Sequence, residues 1–197
     1  MRKCLFTILL LIAVASAKPV LAADKAVFAG GCFWCMESDF EGLTGVLDVV
    51  SGFTGGTLKN PTYNGNHEGH YEAIEVTYDP SVISYQDLLD HYWVNVDPFD
   101  ARGQFCDKGH EYLAAIFVAT PEERRLAEAS RQKVVETFPG QTVVTPVLDA
   151  SVFYPIMGDE SYHQDYYKKS PIRYKFYRLS CGRDARLKEI WGDRVTH

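Results

Sequence analysis

The chain has 197 residues, with 20 basic against 26 acidic ones for a formal charge of −6, and is 46% hydrophobic and 13% aromatic. That length suits one domain with a full core, and a charged fraction of 23% beside so much apolar material excludes a disordered chain. The acidic balance argues against binding a phosphate backbone, so no nucleic acid partner is expected.

Arg2 and Lys3 precede an apolar run from Leu5 to Ala15, broken only by Thr7, and small residues follow at Ala15-Ser16-Ala17 and Leu21-Ala22-Ala23. This pattern predicts an export signal over residues 1–23 and a single catalytic domain over 24–197. The run is shorter than the roughly 20 residues of a spanning helix, so no membrane span is expected once the signal is cut. Cleavage after Ala23 removes Arg2, Lys3 and Lys18 and no acidic residue, which takes the charge from −6 to −9. The expected location is outside the cytoplasm, in a bacterial periplasm or secreted. Cys4 leaves with the signal, and Cys32, Cys35, Cys106 and Cys181 remain. An even count in an exported protein normally suggests structural disulfides, but the spacing here points to a different use.

The short apolar run from Ala26 to Ala29 stops at Gly30-Gly31, after which Phe33, Met36, Phe40 and Leu43 recur at helical spacing: a strand turning into a helix. Val46 to Phe53 reads as a strand, and a Gly- and Asn-rich loop runs from Thr57 to about Gly69. Tyr71 to Tyr78 alternates as a strand and ends at Asp79-Pro80. Ser84 caps a helix carrying Leu88, Leu89, Tyr92 and Trp93, and a loop with Pro98 and Gly103 leads to a strand over Leu113 to Ala119. Thr120, Pro121 and Glu123 supply a cap, a first-turn proline and a capping-box carboxylate for a helix running to Thr137. Thr142 to Leu148 is a further strand candidate, followed by a short helix near Tyr162 to Lys168 and an aromatic, basic tail. Through Ala119 the order is strand, helix, strand, strand, helix, strand. That order predicts an α/β two-layer sandwich, most simply a ferredoxin-like split βαβ plait with added C-terminal segments.

The most specific local signal is GGCFWCME, residues 30–37. Two glycines turn the chain so that Cys32 falls at the start of the helix, where unpaired N–H groups and the helix dipole favour an anion. Cys32 is therefore expected to be thiolate-rich, with a pKa below the usual value of about 8.5. Cys35 shares its helix face, the geometry of a redox-active pair. A permanent bridge across so few residues closes little loop entropy, and a zinc site needs further ligands, whereas Cys106 and Cys181 stand alone without paired spacing. No metal is expected.

GGCFWCME, PTY at Pro61 to Tyr63, GHYEAIEVTYDP from Gly69 to Pro80, CDKGHEY ending at Tyr112, and FYPIMGDESYHQDYY from Phe153 to Tyr167 together resemble the peptide methionine sulfoxide reductases of the A type, in the subgroup with a GCFWC motif. The resemblance implies an α/β plait that reduces the S epimer of methionine sulfoxide, free or in peptides and proteins. It implies that Cys32 attacks the sulfoxide sulfur, that Glu72 gives a proton to the departing oxygen and that Tyr63 and Tyr112 hydrogen-bond that oxygen. Phe33 and Trp34 match the apolar wall around the substrate methyl group, and Asp107 matches a residue that positions the polar part of the substrate. It further implies that no cofactor is bound, that a thioredoxin-like dithiol supplies electrons, and that the enzyme is a monomer.

A sulfoxide oxygen leaves poorly until protonated, and an ordinary Glu, with a pKa of about 4.3, is ionised at neutral pH. Alternation puts Glu72 on one face with Ile74, Val76 and Tyr78, where desolvation raises its pKa as a general acid requires. A strand-end Glu that reaches solvent is the competing reading from alternation alone, and the resemblance favours the first. Attack leaves Cys32 as a sulfenic acid that a second thiol must condense with. Cys181, in a C-terminal segment expected to move, and Cys35 are the leading resolving cysteines, with Cys106 behind; the charged stretch Arg183 to Glu189 departs from the glycine-rich tails of many family members. The histidines His67, His70, His91, His110 and His163 form no metal pair and read as surface or packing residues. An exported thioredoxin-like thiol–disulfide oxidoreductase is the alternative function.

Overall fold

The computed structural model describes residues 23–195; the expected signal up to residue 22, with Cys4, lies outside the described residues. Strand β1 (Asp24–Gly30) sends Phe28 to the helix-covered face of the sheet and Ala29 to the other. Gly31 then turns the chain at φ +84°, where a Cβ would sit 2.6 Å from the Gln104 Cβ, so only glycine fits. Helix α1 (Phe33–Glu41) follows at once and buries Phe33, Met36 and Phe40, spaced at three and four residues. Strands β2 (Val46–Thr54) and β3 (Tyr71–Tyr78) pair antiparallel from Val46 opposite Tyr78 to Thr54 opposite Tyr71, and β3 also pairs antiparallel with β1. β1 and β2 are thus parallel with β3 inserted between them, the split βαβ arrangement.

Helix α2 (Tyr85–Val94) opens on a capping box between Ser84 and Asp87 and buries Leu88, Leu89 and Tyr92. Phe28 stacks between α1 and α2, its ring centroid 5.4 Å from Phe40 and 5.2 Å from Tyr92, and the Tyr92 hydroxyl donates to the Ala29 carbonyl at 2.9 Å. Burial of each such ring contributes roughly 1.5–3 kcal/mol. A small hairpin, β4 (Gly103–Gln104) and β5 (Asp107–Lys108), precedes β6 (Ala114–Val118), which returns antiparallel along β1. The central order β6-β1-β3-β2 is the expected plait. Helix α3 (Pro121–Thr137) begins where the sequence placed it: the Thr120 hydroxyl accepts from the Glu123 N–H, and Glu123 accepts from the Ala119 N–H. β7 (Val147–Asp149) joins β6 in parallel, and β8 (Tyr154–Pro155) edges β2.

Two expectations are corrected here. The strand proposed for Thr142 to Leu148 is a strand only from Val147. Before it, the Arg131 guanidinium of α3 takes the carbonyls of Val143 and Thr145, and Pro146 has no N–H for a ladder. The C-terminal segment, expected to move, instead forms α4 (Tyr166–Lys169), α5 (Pro171–Cys181) and α6 (Arg183–Trp191), with a left-handed turn at Gly182 between the last two. Arg183, Leu187 and Trp191 are buried, so α6 is part of the main core. No helix among the described residues is long and apolar enough to cross a membrane.

Candidate active site

Cys32 sits at the junction of β1 and α1, in extended backbone, with its carbonyl accepting from the Cys35 and Met36 N–H groups. It is only 7% exposed. Glu72 comes from the neighbouring strand β3, opposite Phe53, on the face that carries Ile74, Val76 and Tyr78, as the alternation implied. It is 2% exposed, and the Phe33 N–H donates to its Oε2 at 3.1 Å. Burial pushes the Glu72 carboxyl well above the usual carboxylate range, against the Phe33 hydrogen bond, and the charges of Asp107 and Glu111 add to the upward shift.

The expectation of a low Cys32 pKa is overturned. Burial pushes the Cys32 thiol well up, a hydrogen bond and charge from Cys35 and the charge of Glu72 add to that, and the Tyr177 phenol pulls the other way. The physical reason is local: the first N–H of α1 points at Glu72, and no side chain caps the helix at Cys32. Cys35 moves down, chiefly through its hydrogen bond with Cys32 and then through the guanidiniums of Arg183 and Arg178, against its burial. Cys32 and Cys35 are the free cysteines among the described residues.

Cys106 and Cys181 do not stand alone as the sequence suggested. They form a disulfide, with Cα atoms 4.9 Å apart across 75 residues of sequence. Neither is a free thiol, so Cys35 is the available partner for Cys32. The bond ties the turn of the β4–β5 hairpin to the C-terminal end of α5, next to Asp107.

The substrate residues read from the sequence gather around this pair. The Phe33 ring lies 6.0 Å from Tyr63, and Trp34 stacks on Tyr166 at 3.8 Å. Burial pushes Tyr63 up to about 12 and Tyr112 further, with Glu72 the largest charged neighbour of both and Cys32 and Asp107 also acting on both. Asp107, raised by its own burial, accepts a hydrogen bond from the Tyr177 hydroxyl. Cys32, Glu72, Tyr63, Tyr112 and Asp107 therefore face one another in one site.

Four supporting residues escaped the sequence reading. Tyr177, on α5, bridges Asp107 and Cys32. His163 is a packing residue as expected, but its Nδ1 accepts from the Trp34 indole at 2.9 Å and its ring lies 3.9 Å from Tyr63, so it fixes both walls. Glu160 accepts from the N–H groups of Tyr63 and Asn64, both at 2.8 Å, and clamps the loop that carries Tyr63. Glu37 accepts from the Ser51 hydroxyl and the Asp165 N–H, and burial raises it to about 7. Glu37, Glu160 and His163 lie inside the quoted motifs, but spacing alone gave none of them a task; Tyr177 lies outside every motif.

Residues 24–195 match the family model described as peptide methionine sulfoxide reductase. Over 180 residues the chain is 53% identical to the Caulobacter vibrioides peptide methionine sulfoxide reductase MsrA 2, covering 88% of this chain and 90% of that one. The Bacillus subtilis peptide methionine sulfoxide reductase MsrA is 45% identical over 173 residues, 86% of this chain and 96% of the relative. Among solved structures, methionine sulfoxide reductase A of Corynebacterium diphtheriae superposes with a TM-score of 0.66 at 28% identity, covering 78% of each chain. Reduced Mxr1 of Saccharomyces cerevisiae shares the fold, with a TM-score of 0.69 at 22% identity over 79% of this chain and 89% of that one. The chain belongs to the peptide methionine sulfoxide reductase family.

Proposed function

We propose that the chain reduces the S epimer of methionine sulfoxide, free or in peptides and proteins, by its own thiols. The observation that carries this reading is the buried pairing of a nucleophilic sulfur with an acid of raised pKa: Phe33, the residue after Cys32, donates its N–H to Glu72. The Cys32 thiolate attacks the sulfoxide sulfur while Glu72 protonates the oxygen, and Tyr63 and Tyr112 donate to that oxygen as its charge grows. Phe33 and Trp34 enclose the methyl group, and Asp107 holds the polar end of the residue. The oxygen passes to Cys32 as a sulfenic acid and methionine leaves. Cys35 condenses with the sulfenic acid, releasing water and forming a Cys32–Cys35 disulfide, which an external thioredoxin-like dithiol reduces by exchange.

The basic pair and apolar run at the N-terminus support export to a periplasm or the medium, with one catalytic domain beyond residue 23 acting as a monomer. The test is to incubate the protein with dithiothreitol and each epimer of a methionine sulfoxide peptide and follow sulfide formation. Reduction of one epimer only is expected. Failure to reduce either epimer, with insulin disulfides reduced instead, would favour a general thiol–disulfide oxidoreductase. Cys35→Ser is expected to complete one turnover and then stop when a thioredoxin supplies the electrons.

A further inference from the structure

A site this deep accepts only the end of a side chain, so the polypeptide bearing the sulfoxide must lie across its mouth in an extended, locally unfolded form. Its neighbouring side chains then meet the rim. On one side stands the polar loop of Tyr63 and Asn64, held by Glu160. On the other, α5 exposes Ile172, Phe176 and Leu179, which are 84%, 72% and 80% exposed. Their spacing of four and three residues aligns them as one stripe, while Tyr174 faces inward. A single exposed apolar residue is ordinary, but three on one stripe of an eleven-residue helix form a patch of the kind that marks an interaction site.

The stripe is continuous with the candidate active site. A groove lined by Trp34, Tyr166, Ile172, Arg173, Phe176 and Tyr177 meets a second groove that contains Tyr63 and His163, and the two share Trp34, Tyr166 and Arg173. A chain whose sulfoxide enters between Phe33, Trp34 and Tyr63 therefore runs directly onto Ile172 and Phe176. Methionine is most often buried, and a segment opened far enough to present its oxidised side chain presents apolar neighbours at the same time.

We propose that the α5 stripe of Ile172, Phe176 and Leu179 is the docking surface for the polypeptide substrate, and that it selects methionine sulfoxides flanked by apolar or aromatic residues in unfolded segments. This rests on the reductase reading of the same site. The test compares free methionine sulfoxide with two short peptides, one flanking the sulfoxide with Leu and Phe and one with Ser and Glu, using dithiothreitol as sole reductant. For the unmodified enzyme, the apolar peptide is expected to show a KM about tenfold lower than the polar one, equivalent to about 1.4 kcal/mol. The triple variant Ile172→Ser, Phe176→Ser, Leu179→Ser is expected to erase that difference, leaving kcat and the kinetics of free methionine sulfoxide unchanged. Equal KM values for the two peptides on the unmodified enzyme, a comparison that needs no variant, overturn the proposal. So does a triple variant that slows only thioredoxin-coupled turnover, which assigns the stripe to the electron donor, or one that only dissociates a dimer in sedimentation, which assigns it to a second copy. Free methionine sulfoxide reduced without any peptide preference defeats the docking proposal alone, whereas no reduction of any of the three substrates defeats the reductase reading and the proposal with it.

Discussion

Two buried acids on either side of α1 do different work because their partners differ. Glu72 has a single hydrogen bond, from the Phe33 N–H, and its charge opposes ionisation of Cys32. Replacing Glu72 by Gln removes a proton donor, so sulfoxide reduction at neutral pH should fall by about 10²–10⁴-fold. The same change removes a negative neighbour, so Cys32 should titrate at lower pH than in the unmodified protein. Single-turnover rates and thiolate ultraviolet absorbance followed against pH check both halves; an unchanged rate would strip Glu72 of its acid role. Glu37 lies in a clamp, between Ser51 and Asp165, with its carboxyl raised from 4.5 to about 7 by burial. Between those values the folded protein keeps a proton that the unfolded chain has lost, so this residue makes stability fall as pH rises across that window. Glu37→Gln cannot titrate. The stability advantage of the unmodified protein over Glu37→Gln should therefore shrink by up to about 3 kcal/mol between about pH 5 and about pH 8 in urea unfolding. A pH-independent difference would show that Glu37 is ionised throughout. Residue chemistry of this kind was half legible in the sequence: alternation found Glu72, but nothing in spacing shows that Glu37 would be closed in by Asp165, 128 residues away.

At the level of elements, legibility followed how far each element is specified by its own residues. β3 spans Tyr71–Tyr78 and α3 starts after Thr120 as read, because alternation and caps are local signals. Residues 142–146 look like a strand and are not one, because their carbonyls go to a guanidinium on α3. α5 had no readable helical face: among its residues only Tyr174 is buried, and its apolar stripe faces out. What holds α5 is long-range, through the Cys106–Cys181 bond and the Tyr177–Asp107 contact. A bridge spanning 75 residues of sequence restricts the unfolded chain by about 4 kcal/mol. Cys106→Ser with Cys181→Ser should therefore lower unfolding stability by roughly that amount, and recycling by thioredoxin should continue through Cys35. Loss of recycling in the double variant, with stability unchanged, would reverse the assignment and make one of these two sulfurs the resolving one.

For the molecule as a whole, the plait was readable from element order, but the way its C-terminus closes the site was not. Arg183 shows why. Its side chain, 1% exposed, donates to the Gly30 carbonyl at 3.1 Å and the Asn95 carbonyl at 2.7 Å, approaches Asp39 on α1 at 3.4 Å and lies 4.6 Å above the Phe105 ring. One C-terminal guanidinium thus joins the end of β1, the end of α2, the middle of α1 and the β4–β5 turn, the elements that surround Cys32. In the sequence it is one charge in a charged stretch. Arg183→Met keeps the bulk and deletes every one of these bonds, leaving two buried carbonyls without this donor; Asp39 keeps Arg178 at 2.6 Å. Unfolding in urea should lose about 3 kcal/mol. The same cation pulls the Cys35 thiol down, so its removal should raise that pKa and reduce the Cys35 thiolate at neutral pH. Closure of the Cys32–Cys35 disulfide after one turnover should then slow in Arg183→Met at neutral pH and recover as pH is raised, measured by the loss of free thiols after a stoichiometric dose of sulfoxide. A rate that stays depressed at every pH would mean that the variant has lost the geometry of the pair, and that Arg183 acts on position alone.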